Sequence, residues 1–223
     1  MTIEPIAVFN SPVSGKFGIP RQAGLVSELH GTIALSKPYN NPDALRGLEG
    51  FDYIWLIWGF SLNAQDGPFR ATVRPPRLGG NERIGVFASR SPFRPNSLGL
   101  SSVRVIGVDL DKCEITVEGA DLADGTPIYD IKPYVEYADS HPAVRSGFVD
   151  EKAWEPLEVI IPDSLAAELG EDDAAALRGI LSQDPRPQYQ DNPEREYGLI
   201  FKGRDIKFKV DGRQLTVISP TQQ

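Results

Sequence analysis

FDYIWLIWGF, residues 51–60, is apolar or aromatic at every position except Asp52 and Gly59. A strand with one wet face alternates apolar and polar side chains, and this stretch does not. It therefore predicts a central strand, buried on both faces or against another subunit. On that reading Trp55 and Trp58 are core residues rather than platforms for a stacked base. Short β-prone runs flank it at 3–9, 25–35, 83–88, 100–108, 114–118 and 128–133, broken from one another by Gly, Pro, Asn and Asp. Before residue 150 only 43–48 reads as a helix, with Pro42 and Asp43 as its start signal. Strands this close, with no helix of crossover length between most of them, favour an antiparallel or mixed β-barrel over a doubly wound sheet. No period of about 20–50 residues recurs, which excludes a solenoid or propeller.

The texture changes after Asp150. WEPLEVIIP (154–162) reads as a strand, and DSLAAEL (163–169) and EDDAAALRGILSQD (171–184) as helices. The second helix has an acidic first turn that suits the helix dipole, and places Ala174, Leu177, Ile180 and Leu181 on one face. YGLIFKG, IKFKVDG and QLTVIS then predict a three-stranded meander with a DG turn. The chain thus reads as mainly β, α+β overall: a barrel domain over 1–160 and a small α+β C-terminal domain or appendage over 161–223.

Of the 223 residues 40% are hydrophobic and 24% charged, ordinary globular usage with enough apolar surface for a core. No run approaches the roughly 20 apolar residues of a membrane span, and MTIEPIAVFNSPVSGK lacks the basic and apolar segments of a secretion signal. One cysteine, Cys113, permits no intrachain disulfide, and with only His30 and His141 beside it no Cys/His metal site is expected. These features describe a reduced, cytoplasmic protein with neither membrane nor metal as a partner. A net charge of −8 argues against nucleic acid, but the average conceals an asymmetry. Residues 70–104 hold seven arginines (70, 74, 77, 83, 90, 94 and 104) against the single acid Glu82, a charge of +6, while the remainder has 16 basic and 30 acidic residues, or −14. Such a segment fits the capture of an anion; arginines that pair with surplus carboxylates to hold loops together are the competing account.

Three segments carry more special residues than a scaffold needs. GKFGIPRQ (15–22) is a loop whose backbone amides, Arg21 and Gln22 can donate to a carboxylate or a base edge. RPPRLGGNERIGVFASRSPFRPNSLGLSSVR (74–104) combines stiff prolines, turn-forming glycines and the polar run Ser89, Arg90, Ser91, Arg94 and Asn96, as a binding loop held between strands does. DLADGTPIYDIKPYVEYAD (121–139) has two carboxylates on a turn, then Asp130, Lys132 and Tyr134 at period two, which places them on one face. An Asp130–Lys132 ion pair closing a turn competes there with a catalytic or substrate-orienting role. Neither a G-x-G-x-x-G fingerprint after a strand nor a P-loop occurs, and no G-x-S-x-G or H-E-x-x-H supports the common hydrolase templates.

Together PRQ (20–22), RGLEGF (46–51), RPPRLGGNERIGVFASRSPFRPNSLGLS (74–101), DLADGTPIYDIKPY (121–134), QDPRPQY (183–189) and EYGL (196–199) resemble the TsaA-like family. Within it, the likeness is to the bacterial TrmO-type tRNA (adenine-N6)-methyltransferases, over nearly the whole chain. The resemblance implies a β-barrel enzyme that uses S-adenosylmethionine without a Rossmann fold, as a homodimer with cofactor near the subunit interface. The implied substrate is tRNA bearing N6-threonylcarbamoyladenosine immediately 3′ of the anticodon, methylated at N6. Carried over by motif, the cofactor site comprises Pro20, Arg21, Gln22, Arg90, Leu100, Asp121, Leu122, Ala123, Asp124, Gly125 and Thr126, with Ser61 and Leu62 after the aromatic strand. Relatives often have a histidine where Ser61 stands, so no histidine-dependent role transfers.

The acceptor N6 is a poor nucleophile, because its lone pair is delocalised into the ring and the urea carbonyl. A group that takes its proton helps, and Asp124, Asp130 and Tyr134 are the candidates. The threonyl carboxylate calls for a guanidinium, for which Arg74, Arg77 and Arg94 are the candidates, with phosphate contacts as their other use. Competing readings are a barrel that senses S-adenosylmethionine or binds nucleic acid without catalysis, and a methyltransferase acting on a small molecule.

Overall fold

The structure, a computed structural model, describes residues 2–63, 68–78, 82–151, 155–186 and 192–218. The β-prone runs form strands β1 (Ala7–Asn10), β2 (His30–Leu35) and β3 (Tyr53–Gly59), a small ribbon of β4 (Thr72–Val73) and β5 (Ile84–Gly85), then β6 (Leu98–Asp109), β7 (Glu114–Glu118) and β8 (Thr126–Pro133). Six of them close into a barrel in the order β1-β2-β7-β6-β3-β8, each neighbouring pair antiparallel. Phe9, Ile33, Ile54, Leu56, Ile115, Val117 and Ile128 fill its interior.

The central strand corrects its expectation. Ile54, Leu56 and Trp58 are buried in the barrel, whereas Tyr53, Trp55 and Ile57 alternate with them on the outer face. β3 thus has the period of a one-faced strand, hidden in the sequence because its outer face is aromatic instead of polar. Trp58 is a core residue and Trp55 is not. The Trp55 indole donates to Asp139 Oδ2 at 3.1 Å, and its ring lies 5.7 Å from that of Tyr134. Asp139 closes the short helix α1 (Glu136–Asp139), and the hydrogen bonds that its carboxylate accepts from Val135 N, at 2.8 Å, and from Trp55 hold its pKa below the usual carboxylate range.

Residues 43–48 do not form the expected helix. Two 3-10 turns, Pro42–Ala44 and Leu48–Gly50, replace it, separated by Gly47 at φ +88°. Asn41 caps the first turn, but the stretch is too short to repay helix nucleation. The run 83–88 likewise shortens to β5 followed by the 3-10 turn Val86–Ala88.

After α2 (Phe148–Glu151) come β9 (Glu158–Ile160), α3 (Asp163–Leu169), α4 (Glu171–Ser182), β10 (Tyr197–Phe201), β11 (Arg204–Asp211) and β12 (Gln214–Ile218). The expected meander gains β9 as a parallel fourth strand, in the order β10-β11-β12-β9. α4 lays Leu177, Ile180 and Leu181 into a second core, which also receives Val13, Val26 and Leu29 from the stretch between β1 and β2. Lys202 N donates to Pro12 O at 2.7 Å, and Val13 bridges to Phe201. Among the described residues no helix is long and apolar enough to cross a membrane.

Candidate active site at one rim of the barrel

Strand register decides which distant segments meet. Gly59 lies opposite Leu98, Trp58 opposite both Gly99 and Ile128, and Phe9 opposite Thr126. One rim therefore gathers 59–62, 98–101 and 121–126. The 20–24 segment reaches it as well, because Gly24 N donates to Gly119 O at 2.8 Å. Arg90 donates to the Gln22 side chain, which joins the arginine-rich loop to PRQ. Arg21 turns the other way: its Nη2 donates to the Asp184 carbonyl at 3.0 Å, and enclosure draws its pKa down against the pull of the Asp184 carboxylate.

Within this rim the expected residues divide by burial. Pro20, Leu122, Ala123 and Thr126 are buried, so Leu122, Ala123 and Thr126 offer a ligand mainly backbone. Asp124 and Gly125 are exposed; the Asp124 carboxylate accepts from Ser11 N at 2.9 Å, and Gly125, at φ +76°, donates to Phe9 O at 2.8 Å. Ser61 and Leu62 are exposed just past β3, and Leu100 lies exposed on the outer face of β6. Asp121 is the enclosed titratable group. Ser101 Oγ donates to its Oδ1 at 2.5 Å, and Trp58 Nε1 donates to Ser101 Oγ at 2.9 Å. Burial pushes the Asp121 carboxyl up, while the bond from Ser101 and the charge of Arg90 oppose that.

The other candidates fall elsewhere. Asp130 is midway along β8, where it pairs with Lys132 at 2.9 Å and accepts from Ile131 N at 3.0 Å. Tyr134 is past the far end of β8, and its N–H donates to Tyr53 O at the opposite rim. With about 3.3 Å per residue, β8 holds Asp124 and Tyr134 too far apart to serve one acceptor atom in one chain. Arg94 donates to the carbonyls of Ser89 at 2.7 Å and Val86 at 3.2 Å and lies over the Phe87 ring, so its guanidinium braces the loop. Arg74 is exposed; Arg77 is on the 3-10 turn Pro76–Leu78, and its side chain lies outside the described residues. Of two concavities, one runs along 107–111 at the β6–β7 turn and one lies beside Glu28, His30, Glu118 and Asp172; none of the expected site residues lines either. Sequence reasoning missed Trp58 and Ser101 as site residues. The signal available was Gly99, a glycine inside a strand, which marks a close approach.

Residues 8–140 match the family model of the tRNA-methyltransferase O N-terminal domain, and residues 154–223 that of the TrmO C-terminal domain. The chain belongs to the TrmO family. An Escherichia coli member, tRNA (adenine(37)-N6)-methyltransferase, is 38% identical over 217 residues, covering 93% of this chain and 92% of the relative. A Pseudomonas aeruginosa protein described as a putative S-adenosylmethionine-dependent methyltransferase is 40% identical over 212 residues, 92% of this chain and 90% of its own. A crystal structure of TrmO from Pseudomonas aeruginosa superposes with a TM-score of 0.78 at 30% identity, covering 98% of this chain and 97% of that one. The antiparallel or mixed β-barrel expected from the spacing of strands is the fold observed.

Proposed function

We propose that the protein transfers a methyl group from S-adenosylmethionine to N6 of adenine 37 of tRNA, with the threonylcarbamoylated base as acceptor. The observation that carries this reading is the convergence of 20–24, 59–62, 98–101 and 121–126, together with Arg90, on one rim around Asp121. The residues suit the cofactor's charges. Asp121 offers a carboxylate to its cationic part, Arg90 and Gln22 offer donors to its carboxylate, and the 121–126 backbone offers hydrogen bonds to its base and sugar. Bound there, the cofactor supplies a sulfonium methyl group for in-line displacement, chemistry that needs positioning and no covalent nucleophile from the chain. Asp124, exposed at the same rim, takes the N6 proton in this proposal, and releases Ser11 N to do so. Arg74 and Arg77 hold the threonyl carboxylate, since Arg94 braces its own loop.

A homodimer fits the same surface. Phe69, Phe87, Phe93 and Leu100 are 59%, 70%, 49% and 58% exposed in or beside the arginine-rich segment, an apolar area that a second subunit would cover. Residues 1–160 hold the cofactor and 161–223 help to hold tRNA in this division, and the site of action is the cytoplasm, where tRNA is modified. Incubating threonylcarbamoylated and unmodified tRNA with the protein and S-adenosylmethionine, then analysing nucleosides by mass spectrometry, tests the reading. The expected result is one added methyl on the threonylcarbamoyl nucleoside alone, lowered about 100-fold or more in rate by Asp124→Asn. Methylation of both tRNAs would withdraw the threonylcarbamoyl requirement, and cofactor binding without methylation would leave a sensor.

A further inference from the structure

The rim contains a hydrogen-bonded chain that methyl transfer does not by itself require. Trp58 Nε1 donates to Ser101 Oγ at 2.9 Å, and Ser101 Oγ donates to Asp121 Oδ1 at 2.5 Å. Trp58 and Ser101 are only 6% and 3% exposed, so both polar groups need partners inside the barrel. An indole N–H can only donate, so the first bond runs from Trp58 to Ser101, and the one proton of the hydroxyl goes on to Asp121 when that carboxylate is ionised.

Packing fixes the geometry as firmly. Gly99 faces Trp58 across β3 and β6, and a Cβ there would stand 2.3 Å from the indole. Only a glycine lets the ring cross β6 and reach the hydroxyl two residues on. The Phe60 ring closes the other side, edge-on, with centroids 4.4 Å apart. Apolar residues of similar size would fill this space without enclosing a carboxylate, an arrangement that is often more stable. The cost is sustained where Asp121 joins the two ligand-facing segments, with the Ala23 N–H as a further donor. Arg90, on the loop across from it, is the charged group that acts on Asp121; β6 contributes the Ser101 hydroxyl, the 20–24 segment the Ala23 amide, and β3 no charge.

We infer that Trp58 and Ser101 are positioning residues for the cofactor, which hold the Asp121 carboxylate ionised and in the single orientation that a cationic ligand group meets. This rests on the reading of the rim as the cofactor site. The relay favours the charged form, because a hydrogen bond donated to a carboxylate lowers its pKa, and a cation binds only that form.

The test is calorimetric titration of S-adenosylmethionine into the full chain from about pH 5 to 9, for wild type, Ser101→Ala, Ser101→Thr and Asp121→Asn. Ser101→Ala is expected to weaken binding about tenfold and to move the pH midpoint of binding upward. Ser101→Thr, which keeps the hydroxyl, restores affinity and midpoint, and Asp121→Asn removes that titration from the profile. Should Ser101→Ala fail to fold, Trp58→Phe keeps a ring, drops the N–H and is expected to shift the midpoint the same way. Wild-type affinity and midpoint in a folded Ser101→Ala would overturn the relay while leaving the cofactor reading intact. Equal losses in the Ala and Thr variants would show packing alone. A wild-type chain that binds no S-adenosylmethionine would overturn both the reading and the inference.

Discussion

A carboxylate enclosed at the end of an apolar barrel prefers the neutral form, and burial raises the Asp121 pKa for that reason. A group whose folded pKa is raised contributes stability in full below its unfolded pKa, about 3.9, and loses it as pH rises through the folded value. Asp121→Asn keeps an acceptor for Ser101 and removes the charge. It is expected to melt above wild type at about pH 7.5, with the gap closing as the pH falls towards about 4, when circular dichroism follows unfolding across pH. An Asn variant with no advantage at neutral pH would mean that the carboxylate is not desolvated. Asp121 was legible from DLADGT by resemblance, but its partners were not. Trp58 and Ser101 are 43 residues apart and meet only through the β3–β6 register, which no local pattern encodes. Arg94 shows the same limit from the other side: arginine clustering drew it towards an anion, and the folded loop gives it backbone carbonyls.

Elements with one clear period were readable in advance. α4 starts in an acidic turn and buries the face marked by Ala174, Leu177, Ile180 and Leu181, and β7 matches its β-prone run residue for residue. β3 misled because aromatic side chains occupy its outer face, where water-facing polar residues would have revealed the alternation. The stretch 42–50 misled because helix propensity cannot show that the segment ends after one turn at Gly47. The tightest constraint at this scale is Gly99 in β6. Gly99→Ala places a methyl group into the indole of Trp58, which Phe60 prevents from retreating. We expect it to cost about 1–3 kcal/mol, read as a lower midpoint in urea denaturation with an unchanged slope. Trp58 fluorescence should shift as the N–H leaves Ser101. Full stability with native fluorescence would mean that the ring has another place to go.

At the scale of the molecule the two cores are distinct but share the segment between β1 and β2. Val13, Val26 and Leu29, which flank the 20–22 segment, lie in the C-terminal core, and Arg21 holds the Asp184 carbonyl just after α4. Little of this was legible: 11–24 has no period of its own, and 25–29, expected as the start of a strand, is a turn that packs Val26 and Leu29 into the C-terminal core while β2 begins only at His30. On the proposed reading of the rim as the cofactor site, this packing predicts that the C-terminal part sets the position of the 20–24 segment. Gly179 of α4 is the place to perturb it, since a Cβ there would stand 2.6 Å from Val26 Cγ1. In an isolated helix Gly→Ala favours folding by about 1 kcal/mol, so propensity alone predicts a stabilised protein with normal affinity. Contact predicts the opposite: Gly179→Ala pushes α4 from Val26, loosens 20–24 at the rim and weakens S-adenosylmethionine binding several-fold. Val26→Ala removes the obstructing methyl groups, so in the double variant affinity should recover towards that of Val26→Ala alone. A coupling of about 0.5–3 kcal/mol in that cycle is the range for residues in contact. If Gly179→Ala lowers the melting temperature but leaves cofactor affinity unchanged, the C-terminal part supports the fold without setting the loop. If it changes neither, α4 yields to the methyl group and the two cores are less tightly joined than their packing indicates.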